Sequence, residues 1–394
     1  MRILPFLSGA AGLLAAVSLR AQSVPSYDHV VVVMLENHSY SEVLDEGSSL
    51  PFINDFLRAG GANITQAWGL QHPSQPNYYW LFSGANQGIA SDDSPLAPSY
   101  TAPNLYSSLA ATPGGLTFGG YVDGYPGAGN LYPTSATGYQ VEVAGNIGNE
   151  TSGTSTISYV SRHVPWLGFT GIPTEVTHDF STFGTQAADF AALPTVSFVI
   201  PALENDMHNY ATDAVVGNIA ESGTAMLHSD QWLEANLKAY AQWAQDNNSL
   251  LIITTDEDST ADWSGTAGGA LNYHGSDPVG LTSPDAGFSE SGTNPNGTAQ
   301  SGPNQITTIF YGAGIQAGNY AEGDGISNVN VLRTIEAIYG LAQSGAQSGA
   351  YPATIGDGAI TDIFVVPEPG SMSMLVLGLG SLLFLRHRQR KSGG

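Results

Sequence analysis

The run His29-Val30-Val31-Val32-Val33-Met34-Leu35 is unbroken, apolar and β-branched, and it stops abruptly at Glu36-Asn37-His38-Ser39-Tyr40. A strand with no polar face needs cover on both sides, which is the situation of a central strand in a parallel sheet. Three further runs have this character. Thr195 to Ile200 ends at Pro201, Ser249 to Thr255 ends at Asp256, and Gln305 to Tyr311 ends at Gly312. Between the second and third, Trp232, Leu233, Leu237, Tyr240 and Trp243 recur at helical spacing across Gln231 to Asp246. Val331, Leu332, Ile335, Ile338 and Tyr339 do the same across Val329 to Leu341. Strands alternating with helices predict the α/β class, with a doubly wound, mostly parallel sheet flanked by helices. Ligands of such sheets bind beyond the carboxyl ends of the strands, and three of the four runs turn polar or acidic there. Ala85 to Thr154 and Ala261 to Pro303, rich in Gly, Ser, Thr and Pro, read as loop-rich insertions.

The 394 residues are 42% hydrophobic and 11% charged, enough for a large core in one large α/β domain or two ordinary ones. Thirty-four acidic residues against ten basic ones give a formal charge of −24. Such a surface repels polyanions, so nucleic acid is excluded as a partner. With no cysteine in the chain, disulfides, thiolate chemistry and Cys-ligated zinc are ruled out.

Both ends carry sorting features. Met1-Arg2, an apolar stretch from Ile3 to Leu19, and small residues near Ala21 read as a secretory signal peptide over residues 1–21. At the other end, Val366-Pro367-Glu368-Pro369-Gly370 leads into an uncharged apolar run, Met372 to Leu385, followed by Arg386, Arg388, Arg390 and Lys391. The run borders on the length of a membrane-crossing helix, and the basic cluster would stay cytoplasmic. In this order the three parts resemble the PEP-CTERM sorting signal of Gram-negative bacteria. The resemblance implies export to the cell envelope or beyond, transient inner-membrane anchoring by the apolar helix, and a dedicated sorting protease as partner. The expected organisation is signal peptide 1–21, catalytic domain 22–345, linker 346–365 and sorting segment 366–391.

Chemistry concentrates at the strand ends. Glu36-Asn37 offers a carboxylate and an amide oxygen side by side, a pairing able to grip a hard or borderline cation. His72-Pro73-Ser74-Gln75-Pro76-Asn77-Tyr78 fixes a serine between prolines ahead of a helix start, where backbone N–H groups favour an anion. The second run leads to Glu204-Asn205-Asp206-Met207-His208 and the third to Asp256-Glu257-Asp258. Three consecutive acids after a buried strand repel one another unless a cation pairs them. Asn272-Tyr273-His274-Gly275 sets a histidine in a loop.

Together, Glu36 to Tyr40, His72 to Tyr78, Asn205 to His208 and Thr255 to Asp258 resemble the phosphoesterase family of bacterial acid phosphatases and phosphatidylcholine-type phospholipases C. That family has the alkaline-phosphatase-like fold, and the likeness runs from about Tyr27 to Leu341. It implies Ser74 as nucleophile, with Glu36, Asn37, Asp256 and Glu257 holding a divalent metal (Ca²⁺, Mg²⁺, Mn²⁺ or Zn²⁺). It also implies His208 and His274 in proton transfer, and His72, Asn77 and Asp206 around the phosphate. His38 stands where many relatives carry arginine. With neither lysine nor arginine in these motifs, the electrostatic work falls to the metal and the histidines.

The substrate expected first is a small phosphomonoester, and second a phospholipid head group cleaved in phospholipase C fashion. A sulfatase is unlike this chain, because Ser74-Gln75-Pro76-Asn77-Tyr78 ends in tyrosine where the sulfatase pattern has arginine. A noncatalytic envelope or matrix protein on the same scaffold is the alternative of another class; the joint presence of Ser74, Asp256 and Glu257 separates the two readings.

Overall fold

The His29–Leu35 run is the fourth of eight strands in a sheet, with a parallel partner on either side. The structure, a computed structural model, describes residues 24–44, 49–70, 73–89, 92, 95, 97–133, 159–208, 222–258, 304–320, 326–345 and 358–365. Its strands are β1 (His29–Leu35), β2 (Ala62–Ile64), β3 (Ala67–Trp68), β4 (Phe118–Val122), β5 (Thr177–Asp179), β6 (Val196–Ile200), β7 (Ser249–Thr255), β8 (Thr308–Gly312), β9 (Gly318–Tyr320) and β10 (Ile326–Ser327). The helices are α1 (Tyr40–Leu44), α2 (Gln75–Ser83), α3 (Leu105–Ala110), α4 (Ala187–Phe190), α5 (Ser222–Asp246) and α6 (Asn328–Tyr339). The large sheet runs β5-β4-β6-β1-β7-β8-β2-β9, and β3 pairs with β10 separately.

Alternation along β1 explains why the run is apolar throughout. Val30, Val32 and Met34 join one core with Tyr79, Leu81 and Phe82 of α2 and Val331, Leu332 and Ile335 of α6. Val31, Val33 and Leu35 join a second core with Leu233, Leu237, Tyr240 and Ala244 of α5. Helices therefore cover both faces, as the alternating pattern requires. Burying each of these Val and Leu side chains stabilises the fold by roughly 1.5–3 kcal/mol before entropy is counted.

One expectation needs correction, and one strand departs from the parallel majority. The fourth run lies antiparallel to β7, with Leu250 opposite Gly312 and Thr254 opposite Thr308; Gln305 and Ile306 precede the strand and form isolated bridges to Trp68 and Ser39. The stretch from Ala85 to Thr154 is not wholly a loop-rich insertion, because its Phe118-Gly119-Gly120-Tyr121-Val122 is β4, paired in parallel with both β5 and β6. Gly120 explains the disguise: a Cβ there would collide with the buried Trp166 ring, so the strand carries glycine where the indole crosses it. The stretch from Ala261 to Pro303 lies outside the described residues.

Helix α5 also anchors the segment behind α1. Its fully buried Asp230 accepts from the N–H groups of Phe52 (3.0 Å) and Ile53 (2.8 Å), which open the helical turn Phe52–Arg58. Removing this acceptor leaves two buried donors unpaired. Asp230→Ala is expected to lower the unfolding free energy by about 1.5–3 kcal/mol in urea titrations, with Asp230→Asn, which keeps one oxygen, losing less; an unchanged midpoint in the alanine variant would refute the anchoring role.

Candidate active site

β1 and β7 are hydrogen-bonded to their last residues, and the pairing runs one step further, with the Asp256 N–H on the Leu35 carbonyl at 3.0 Å. This registers Glu36 against Asp256 and Glu257. From β6, the turn Pro201–His208 comes back to the same edge, where the Glu36 N–H donates to the Asp206 carbonyl at 2.7 Å. The turn is pinned at Met207, whose N–H donates to Ser229 Oγ of α5 (2.8 Å) and whose carbonyl lies 3.0 Å from His38 Nε2. Met207 (φ 85°) and Asn37 (φ 35°) both have positive φ, so the edge holds two non-glycine residues in strained backbone.

Ser74 is the residue before α2, where a serine hydroxyl ordinarily caps the helix. Here it makes no capping bond. Instead Oγ lies 2.9 Å from Glu36 Oε2 and 3.1 Å from Glu257 Oε1. The Asn37 amide completes the ring. Assigned from its neighbours, its nitrogen faces Ser74 Oγ, Glu36 Oε2 and Glu257 Oε1 at 3.1 Å each, and its oxygen accepts from His208 Nε2 at 3.0 Å. The Asn37 N–H donates to Asp256 Oδ1 at 3.1 Å. Segments starting at positions 36, 74 and 256 thus meet around one hydroxyl.

All three carboxylates are buried, with Glu36 at 1%, Asp256 at 0% and Glu257 at 2% exposure. Burial, and then the neighbouring Glu257, push the Glu36 carboxyl up from 4.5 to about 8, against the lowering effects of the Tyr78 hydrogen bond and Arg162. Asp256 is pushed well above the usual carboxylate range by burial, then by Glu36 and Glu257. Burial, helped by Arg162 and His38, lowers His208 to about 4, so its imidazole is neutral at ordinary pH.

The donor set fits a hard divalent cation in its chemistry. It is all oxygen, it gathers negative charge that repels itself, and Asp256 Oδ2 is buried with no hydrogen-bond partner among the described residues. Among the described residues no group of three or more His, Asp or Glu is already spaced to hold a metal ion; the carboxylates are drawn instead onto the Ser74 hydroxyl and the Asn37 amide.

The other expected residues fall as follows. Asp206 is buried and its Oδ1 accepts from the His208 N–H at 2.9 Å. Asn77 is buried on α2, its Oδ1 accepting from the Leu70 N–H at 3.2 Å. His72 and His274 lie outside the described residues. Asp258, the third acid of its run, turns away and exchanges two hydrogen bonds with Asn304, at 2.9 and 2.6 Å.

Sequence reasoning missed three neighbours of the cluster. Tyr78 OH donates to Glu36 Oε1 at 2.5 Å. His163 Nε2 lies 3.3 Å from the same oxygen. Arg162 is buried, and its charge acts on Glu36, His163 and His208, so the site does have a guanidinium beside it. A signal was available: between residues 24 and 365 the basic side chains number four, Arg58, Arg162, Lys238 and Arg333, and Arg162 is the one followed by histidine.

Residues 46–342, which include Ser74, Asp206, Asp256 and Glu257, match the Phosphoesterase family. The chain belongs to that family. It is a phosphoric ester hydrolase. Residues 365–391 match the PEP-CTERM protein-sorting motif, the tail expected from the sequence. Over 343 residues the chain is 35% identical to a phosphatidylinositol-3-phosphatase of Mycobacterium tuberculosis, covering 87% of each protein. It is 24% identical to a phosphate-repressible acid phosphatase of Penicillium chrysogenum, covering 63% of this chain and 54% of that one. Among solved structures, wild-type alkaline phosphatase PafA is similar at a TM-score of 0.46 and 10% identity, with 87% of this chain and 100% of that one covered. Among the described residues no helix is long and apolar enough to cross a membrane; Met372 to Leu385 lies outside them.

The raised Glu36 carboxyl has a consequence for the metal-free protein. A carboxyl whose folded pKa exceeds its unfolded one adds stability that is full below the unfolded value and is lost as pH climbs through the folded value. For Glu36 that window is 4.5 to about 8. His208 acts oppositely below its ordinary 6.5, so above 6.5 the raised carboxyls, Glu36 together with Asp256 and Glu204, act without it, and the Glu36→Gln comparison singles out the glutamate. In chelator, the urea midpoint of the wild type is expected to fall between pH 6.5 and 8, and that of Glu36→Gln to fall less; parallel curves would contradict the assignment.

Proposed function

We propose that the protein is an exported, metal-dependent phosphomonoesterase with Ser74 as nucleophile. The observation carrying this reading is the Ser74 hydroxyl, which sits at a helix start without capping it and is bonded to carboxylates from two different strand ends. A serine used for structure alone would satisfy the helix.

Glu36, Asn37, Asp256 and Glu257 would hold the cation, one of Ca²⁺, Mg²⁺, Mn²⁺ or Zn²⁺. When bound, it lowers the pKa of the serine hydroxyl and offsets charge on the phosphoryl group. Ser74 Oγ attacks phosphorus, its proton passes through the surrounding carboxylates to the departing oxygen, and the P–O bond to the alcohol breaks, leaving a phosphoserine and the free alcohol. Neutral His208 accepts a proton from the water that then attacks the phosphoserine, and returning that proton to Ser74 Oγ as its P–O bond breaks releases the serine and inorganic phosphate. Arg162 supplies positive charge for the non-bridging oxygens in a water-poor setting, where such charge counts most. His72 and His274 stay candidates for phosphate binding and proton transfer, and Asn77 and Asp206 support the pocket.

The Mycobacterium and Penicillium relatives are both phosphatases by name, which supports a monoester over a phospholipase C type of cleavage. The first of them acts, by its name, on a phosphoinositide, so a phosphorylated lipid head group is the second substrate to assay. The sorting motif supports export in a Gram-negative bacterium, with a signal peptide over 1–21, a catalytic body over 22–345, transient inner-membrane anchoring by the apolar run and removal by a sorting protease.

Ser74→Ala is expected to cut the turnover of an aryl phosphate by about 10⁴-fold or more; a purified variant running near the wild-type rate would end the nucleophile assignment. Exhaustive chelation should abolish activity and one of the four cations restore it, whereas full activity after chelation counts against the metal. Arg162→Ala is expected to lower kcat/KM for the monoester by about 10²-fold, and an unchanged value would remove the arginine from the site.

A further inference from the structure

Ser74 and Tyr78 are four residues apart, so the start of α2 presents them on one face, a turn from each other. Both reach the same carboxylate. Ser74 Oγ donates to Glu36 Oε2 at 2.9 Å, and Tyr78 OH donates to Glu36 Oε1 at 2.5 Å. The tyrosine is held in its turn. Its ring lies parallel to the His163 imidazole, 3° from coplanar with centroids 4.7 Å apart, and His163 Nε2 approaches Glu36 Oε1 at 3.3 Å. Tyr78 and His163 are each 2% exposed, so the groups on this side of the carboxylate are buried.

We infer that Tyr78 is a positioning residue that occupies one oxygen of Glu36 and thereby presents the other, Oε2, to Ser74 and to a bound cation. Two conditions make the arrangement selective. The phenol must act as the donor, and its hydroxyl donates to Glu36 Oε1 at 2.5 Å. The ring must not swing, and the stacked imidazole prevents that. A carboxylate free at both oxygens could rotate to grip a cation or the serine through either one; with Oε1 taken, its geometry toward the hydroxyl is fixed. Outer groups of this kind typically account for 10- to 100-fold in metal affinity or rate.

The inference rests on the proposed role of Glu36 at the serine, and the test separates the two. Tyr78→Phe keeps the ring and its stacking and removes the hydroxyl alone. In the full-length protein it is expected to weaken Mn²⁺ binding, followed by calorimetry, by about 10-fold or more, and to lower kcat on an aryl phosphate similarly while KM stays within about twofold. In a Glu36→Gln background the same substitution should change Mn²⁺ binding and kcat little further, because the tyrosine acts through that carboxylate. Unaltered Mn²⁺ affinity and kcat in Tyr78→Phe, or equal losses in both backgrounds, would overturn the inference. Ser74→Ala, measured alongside, is expected to lose turnover but keep Mn²⁺ binding. If it keeps turnover, the nucleophile reading falls and Tyr78 is still judged by the cation titration. If the wild type takes up no Mn²⁺, Ca²⁺, Mg²⁺ and Zn²⁺ are titrated in its place; if none binds, the metal reading falls and the kcat comparison across the two backgrounds decides. Should Tyr78→Phe fail to fold, His163→Ala, which leaves the hydroxyl but frees the ring, replaces it in the same cycle. A loss confined to the Glu36 background then supports the inference, and no loss or an equal loss in both overturns it.

Discussion

Three buried carboxylates around one serine hydroxyl are the arrangement on which the rest of this structure turns. Glu36, Asp256 and Glu257 sit where water cannot screen them, and like charges so placed oppose folding unless protons, donors or a cation compensate. The fold provides what donors it can: the Ser74 hydroxyl, the Tyr78 phenol, the Asn37 amide and the Asn37 N–H. Among the described residues they are too few, as the unpaired Asp256 Oδ2 and the raised Glu36 and Asp256 pKa values indicate. Such a cluster is unfavourable as packing alone, and its oxygen chemistry suits the cation of the proposed reading.

The sheet is what makes such an arrangement possible. Parallel pairing of β1 with β6 and β7 brings three chain-distant strand ends to one rim, and the cores on its two faces fix their height to within a residue. The cost of crowding polar turns at that rim shows in the backbone, where Asn37 and Met207 take positive φ. Each is tied down: Asn37 through its N–H and its side-chain amide, Met207 through Ser229 and the His38 ring. His38 also lies 3.4 Å from Glu42, which makes it a brace between β1's end and the returning turn.

What could be read from the sequence follows from how strongly burial writes itself into a pattern. β1 and β7 match their apolar runs residue for residue, because strands covered on both faces admit almost nothing polar. The direction of β8 was not legible, since a run of Ile, Phe and Tyr is the same whichever way it pairs. β4 was hidden by Gly119 and Gly120, residues chosen for the closeness of their neighbours, Trp166 above all, and not for strand propensity. At the site, the acids announced themselves by standing at strand ends, and the serine by standing between prolines ahead of a helix start. Arg162 and His163 did not, because they arrive on a short helical turn, Ser161–His163, where no periodicity marks which way a side chain faces. Tyr78 was visible but mute: an aromatic residue in a helix start reads as core, and most of its ring is core, with the hydroxyl alone entering the chemistry.

The charge of the whole chain bears on which phosphate esters can reach this rim. At −24 the protein repels anions at long range, and the repulsion must be reversed locally for a phosphate monoester to bind. Of the four basic residues between positions 24 and 365, Arg58 is committed to the Leu44 carbonyl and Asn54, Lys238 to Glu234, and Arg333 to Glu336 and the Ser344 carbonyl. Arg162 alone of the four acts on the carboxylate cluster. One buried guanidinium cannot offset a phosphate dianion beside a cluster of carboxylates, so on the proposed reading the remaining attraction would come from a cation held by Glu36, Asp256 and Glu257. On that reading, the residues that make the metal-free site unfavourable are the same ones that would make the loaded site attractive to phosphate.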